Sequence, residues 1–317
     1  MTKEENLFHR LAANLFALSL ILTSSSVIYS QDSVVTKHYP GGIIQETTSY
    51  RNGTLNGGSE YFYETGILKE VINYDKGRKD GVYRSYYESG ILKEAMNYNM
   101  NKLDGIYSTF YPAGILKEKG KYKDGVFEDT IRTWYENGNL NSIYFYHKGL
   151  REGKAKELYP EGGLKVEAEY LHDAQNGKTS WFYGNGALKG IYNYVDGNIE
   201  GFVNEYYPDG KLMSEKNYNY SQLNGLIKNY YENGNLKSEA TYENGMKEGA
   251  AKSYYENGTL WSEQHYEENK LEGDTRIYRD TGTLWYIDTY DEGKLEINKE
   301  YSEDGKLISE QKISDKE

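Results

Sequence analysis

Cysteine is absent from the 317 residues, which excludes a disulfide framework, a thiolate metal site and a lipid-modified N-terminal cysteine. Proline occurs only four times, so few positions refuse a place in a hydrogen-bonded ladder. Basic charge is in short supply as well. The formal charge of −12 argues against a nucleic-acid footprint and against recognition of a specific membrane lipid. A partner drawn by charge would be basic, although the same charge also keeps a long exposed sheet in solution. Long hydrophobic runs are missing except for one, Leu11 to Leu22, preceded by Lys3, His9 and Arg10. That run falls short of the roughly 20 apolar residues a membrane span needs and suits the core of a signal peptide. The polar segment Thr23–Ser26 follows it, and a cleavage point falls between Ser30 and Gln31. An uncleaved anchor helix or a buried cap on the first repeat are the other readings. Export is the favoured one, with residues 1–30 as leader and residues 31–317 as a single repeat domain.

What the chain has in quantity is tyrosine, 35 residues, and glycine, 34 residues. Both recur with a period of 24. A turn glycine falls at Gly42, Gly66, Gly90, Gly114, Gly138, Gly162, Gly186, Gly210, Gly234, Gly258 and Gly282, and after a step of 23 at Gly305. Two residues after each sits an aliphatic residue, Ile44 or a leucine from Leu68 to Leu307, and eight after each of the first eleven sits a tyrosine, Tyr50 to Tyr290. A fixed period of this size marks a stacked array, in which each unit buries its apolar face against its neighbours.

Gly81 to Asp104 reads as one unit. Val82–Tyr87 has strand composition, Glu88-Ser89-Gly90 is a three-residue hairpin loop, and Ile91–Tyr98 is the return strand. A polar run then leads to a second recurring glycine, which fails at Asp129 and Ile297, so those two junctions are expected to differ. Alternation puts Leu92, Glu94, Met96 and Tyr98 on one face. The expected fold is all-β, an elongated single sheet of about twelve 24-residue β-hairpins, with the last unit capping the open edge. The unit with Leu158 and the altered turn Pro160–Gly163 reads as the weak one.

The pattern Tyr230-Tyr231-Glu232-Asn233-Gly234-Asn235-Leu236-Lys237-Ser238-Glu239, with Tyr242 and Gly249, resembles the MORN-repeat variant of bacterial proteins of the YwqK antitoxin type. The resemblance runs from Tyr39 to about Gln311. It implies a meander of hairpins, a role in protein interaction and, at family level, neutralisation of a toxin.

Catalysis needs unlike groups at one point, and a repeat offers like groups at intervals. His9, His38, His147, His172 and His265 share no spacing. Gly184-Asn185-Gly186-Ala187-Leu188-Lys189-Gly190 imitates a dinucleotide fingerprint but is one residue out and opens no helix. Asp196–Gly201 starts like a calcium loop, yet its twelfth position is Tyr207. Glu70, Glu94 and Glu118 beside Lys69, Lys93 and Lys117 read as a solvated, charge-balanced face. No catalytic, cofactor-binding or metal residue is assigned, no cofactor is expected, and the chain reads as a non-enzyme. Trp134, Trp181, Trp261 and Trp285 read as packing substitutes for tyrosine, with sugar stacking, and so an envelope or cell-wall glycan, as the alternative. The expected function is a protein-binding scaffold.

Overall fold

Every 24-residue period contains two chain reversals, and positive φ angles set both. The first closes the expected hairpin. Tyr63 N–H donates to the Ile67 carbonyl at 2.8 Å and Gly66 N–H to the Tyr63 carbonyl at 2.9 Å, with Gly66 at φ +79°. This three-residue loop needs a left-handed residue in its third place, and it recurs in all twelve units, from Tyr39 to Ser302. The second reversal is a two-residue turn that sequence reading took for a polar run. Lys76 and Gly77 lie at φ +48° and +79° between the paired residues Asp75 and Arg78, as the tightest hairpin turns require. Four of the eleven such turns contain no glycine, for example Tyr220-Ser221 at +48° and +64°.

The computed structural model describes residues 31–313; the expected leader lies outside the described residues. Within them there are thirty strand segments and no helix. Six segments are two-residue leads into the strand that follows, such as Lys102–Leu103 before Gly105–Phe110. Twenty-four continuous strands, twelve hairpins, therefore run as a single antiparallel meander. The sheet is open: Asp32–His38 pairs only with Ile44–Arg51, and Leu307–Lys312 only with Lys294–Tyr301. The fold class expected from the period is the one observed.

The second recurring glycine marks a bulge between hairpins, where Lys79–Tyr83 face only Ile72–Tyr74. Asp129 does not break this pattern, contrary to expectation. It takes φ +70° itself, and its carboxylate accepts the Thr130 N–H at 2.7 Å, a local bond that lets Asp occupy this region. The Ile297 junction does differ. There Leu295–Ile297 face Thr289 and Tyr290, one bulged residue fewer, which accounts for the single 23-residue step.

The core is a ladder down the middle of one face. Two residues beyond the bulge positions come Ser59, Tyr107, Ile131, Ala155, Thr179, Val203, Ile227, Ala251 and Thr275, all buried, and Tyr83, which is half-buried. Each pairs with the centre of its return strand. Tyr107 faces Gly120, where an added Cβ would lie 2.7 Å from Tyr107 Cε1 and 2.9 Å from Ile131 Cγ1, while Ala155 faces Ala168. Close packing of this kind makes even one methyl group count. The unit read as weak contributes Ala155, Val166 and Ala168 to the core, and the same three residues border a small cavity of about 120 Å³.

Candidate interaction surface

Tyrosine hydroxyls fasten each hairpin to the next. Tyr39 donates to the Phe62 carbonyl at 2.8 Å, Tyr63 to Tyr86, Tyr87 to Phe110, and the series continues unbroken to Tyr255 and Tyr278. In the next unit Arg279 takes over and reaches the Tyr301 carbonyl at 2.8 Å. In the last, Ser302 turns inward to Asp304 and the Lys306 carbonyl, so the series stops at the C-terminal edge. This row is therefore committed to the scaffold. Sequence reading found the tyrosines but not their bond, because their partner is a backbone carbonyl 23 residues away.

On the core face the recurring glutamates are half-buried. Glu94 accepts from Ser85 at 3.2 Å and Glu118 from Tyr107. Lys69 and Lys117 instead sit over the rings of Tyr63 and Tyr111, 5.6 and 5.7 Å from their centroids. The expected charge-balanced face is thus divided between two environments. Glu205 accepts from Lys216 and Ser214 at 2.7 Å and from Tyr192 at 2.5 Å. Burial raises its pKa, but the bonds from Lys216, Tyr192 and Ser214 outweigh burial and hold the carboxyl below its ordinary value. Burial is also the main cause that pushes Tyr61 and Tyr83 up to about 12.

A second set of carboxylates serves the two-residue turns. Glu128 accepts the Lys148 N–H at 2.8 Å, Glu200 that of Tyr220 at 2.8 Å, and Glu272 that of Glu292 at 2.9 Å. Each offsets the left-handed residue it holds. His147 joins Glu128 at 3.1 Å; His38, His172 and His265 stand on other elements, and His9 lies outside the described residues. Asp196-Gly197 forms one of the two-residue turns, and Gly184–Gly186 lie in a hairpin loop. Among the described residues no three His, Asp or Glu side chains group as a metal site would require.

The opposite face carries what the repeat does not explain. Phe202 and Leu226, each following a bulge glycine one period apart, are 84% and 50% exposed. With Asn204, Glu215, Lys216 and Lys228 they line a groove of about 400 Å³. Trp134 follows expectation as an aromatic before the turn tyrosine, its carbonyl accepting from Tyr111, and Trp181 stands within the sheet paired with Gly190. Trp261 and Trp285 do not substitute for tyrosine. They occupy, one period apart, the place that Lys69, Lys93, Lys117 and Lys237 hold in other units, and are 48% and 37% exposed. Arg279 lies over Trp285 at 5.1 Å.

A family model described as "MORN repeat variant" matches nine stretches: 55–76, 79–100, 103–124, 130–148, 151–172, 175–196, 200–220, 223–244 and 247–268. No curated protein matches the chain. Among solved structures, one titled "Crystal Structure of TcdB2-TccC3-Cdc42" is similar at 10% identity over 87% of this chain, with a TM-score of 0.17. A Photorhabdus luminescens Tc holotoxin pore is similar at 11% identity over 88%, with a TM-score of 0.19. This chain spans 20% and 17% of the length of those chains, and likeness so slight carries no functional argument.

Proposed function

The chain belongs to the MORN repeat variant family, and from that membership and the division of labour between its faces we propose that it is a non-enzymatic scaffold whose outward face binds another protein. The observation that carries this reading is the contrast between the tyrosine row, committed to the scaffold, and the uncommitted residues at fixed places on the outward face, Phe202 and Leu226 above all. Apolar side chains exposed in register, rimmed by polar ones, are what a protein partner covers. The charge of −12 favours a partner of net positive charge at long range. Toxin neutralisation is the finer form of this reading, and it rests on the family resemblance. Export, with cleavage before Gln31, places the scaffold in the periplasm, the envelope or outside the cell. Affinity capture with residues 31–317, followed by mass spectrometry, tests it. One saturable protein partner lost on Phe202→Asp with Leu226→Asp is expected; capture unchanged by both substitutions contradicts the assignment of the face.

One observation favours a second reading. Trp261 and Trp285 are exposed in register where lysine is the rule, and rings so placed can stack on sugars. Retention on isolated cell-wall material that disappears in Trp261→Ala with Trp285→Ala would favour a glycan ligand over a protein.

A further inference from the structure

The unit from Gly105 to Asp124 departs from its neighbours on the outward face. Its return strand reads Leu116-Lys117-Glu118-Lys119-Gly120-Lys121-Tyr122-Lys123, and burial alternates with it, every lysine exposed. At the place of Lys119 no other described unit carries a lysine, the residues there being Thr47, Val71, Ala95, Ile143, Glu167, Ile191, Glu215, Glu239, Glu263, Ile287 and Glu310, and at the place of Lys121 only the final strand does, with Lys312. Across the sheet Lys119 stands directly opposite Arg132, also exposed. Like charges directly opposed destabilise a sheet, and nothing in the protein relieves these. Among the described residues the side chains of Lys119, Lys121 and Arg132 form no ion pair and no hydrogen bond. Of the acidic groups nearby, Glu118 lies on the core face with Tyr107, Asp129 binds Thr130, and Glu128, directly across the sheet from Lys121, holds the Lys148 N–H and His147. Lys119, Lys121 and Arg132 line an open groove of about 500 Å³ together with Ile106, which is 59% exposed, and with one acidic residue, Asp129, whose carboxylate is turned to Thr130.

We propose that this groove is a docking site for a short acidic segment of an extended peptide, held by Lys119, Lys121 and Arg132 with Ile106 as its apolar contact. Spacing supports an extended ligand. Lysines two residues apart on a strand stand about 7 Å apart, the repeat of alternate side chains on an extended peptide. The stripe from Lys117 to Lys123 covers roughly 20 Å by the same rise. Charge limits the length of the ligand. A long polyanion laid on a chain of net −12 would extend beyond the stripe into like charge, whereas a short acidic segment would not. The proposal rests on the scaffold reading for the class of ligand, and it adds that a partner of net positive charge presents one acidic segment here.

The test uses residues 31–317 and a fluorescein-labelled peptide of about twelve residues alternating Glu and Ser, followed by anisotropy at low and physiological salt. Saturable binding is expected, weakened at least tenfold by Lys119→Glu with Lys121→Glu and also weakened by added salt. Lys252→Glu, at the register of Arg132 in a unit where Lys252 pairs with Glu263 at 3.1 Å, should change it less than twofold. Circular dichroism confirms that each variant is folded. Equal binding by the double variant, no binding by the parent, or a preference for oligothymidine or phosphatidylserine vesicles overturns the assignment. Peptide binding without a captured protein partner would instead leave this site standing and count against the scaffold reading.

Discussion

Residues 105–147 and 225–267 have the same backbone and opposite chemistry. In the first stretch the core ladder is Tyr107, Gly120, Ile131 and Tyr144, and the rings of Tyr122 and Phe127 stack 4.6 Å apart, with Tyr107 at 4.8 Å from Tyr122 and Tyr146 at 5.2 Å from Phe127. In the second it is Ile227, Ala240, Ala251 and Gln264. On the outward face Lys119 opposes Arg132 in the first, whereas Glu239 opposes Lys252 and accepts from Tyr254 at 3.1 Å in the second. The ties are the same in both: Tyr111 to the Trp134 carbonyl at 2.9 Å, Tyr231 to the Tyr254 carbonyl at 2.8 Å. Turns, bulges and hydroxyl ties thus carry the fold, which leaves both faces free to change from unit to unit. Function is to be sought where a unit departs from the period.

The largest effect should come from the shared part of the ladder. Ile131→Ala and Ile227→Ala each remove a buried side chain, 6% and 4% exposed, and each should cost about 2–5 kcal/mol, read from hydrogen exchange of its own unit. Similar losses in both stretches sustain the view that one architecture serves two chemistries. Next, Gly120→Ala should cost about 1–3 kcal/mol, because its methyl group would meet Tyr107 and Ile131. Residue 240 is already alanine opposite Ile227. Tolerance of Gly120→Ala would show that the aromatic stretch is no more tightly fitted than the other.

The tyrosine ties should be worth less each but be uniform. Tyr135→Phe leaves the Leu158 carbonyl without the 2.7 Å bond it accepts and should cost about 1 kcal/mol, as should Tyr231→Phe. A cost confined to one of them would sharpen the comparison against the common backbone. The smallest effect is pH-dependent. The pKa of Glu205 is lowered in the folded state, so its stabilisation is complete above the ordinary carboxylate value of 4.5 and is lost as pH falls through the lower folded value. Glu205→Gln should therefore be less stable than the parent at neutral pH, with the difference closing in acid, as monitored by urea unfolding at each pH.

The period made the architecture legible because glycine and tyrosine recur where backbone geometry demands them. Twelve hairpins, the three-residue loops and the unusual junction at Ile297 could all be read from spacing. Asn52-Gly53, Asp124-Gly125, Asp196-Gly197 and Asn244-Gly245 carry the usual signal for the two-residue turns, but it does not recur in every unit: Lys76, Met100 and Tyr220 take the same positive φ, and in the sequence the turn reads as a polar run. Asp129 was misjudged because its side chain replaces the freedom of glycine by a bond to Thr130. The candidate surface was hidden for another reason. A period displays what recurs and not what departs from it, and Lys119, Lys121 and the tryptophans at 261 and 285 matter because they break it.

The central claim is that each hairpin is held by its neighbours and not by a core common to the whole chain. Hydrogen exchange with mass spectrometry on Ile227→Ala tests it most directly. A linear array should lose protection in the hairpin of Gly225–Glu243 and in those on either side, while Ile44–Asn99 exchange as in the parent. Uniform loss of protection from Ile44 to Lys312 would contradict the account and require a sheet that unfolds as one body.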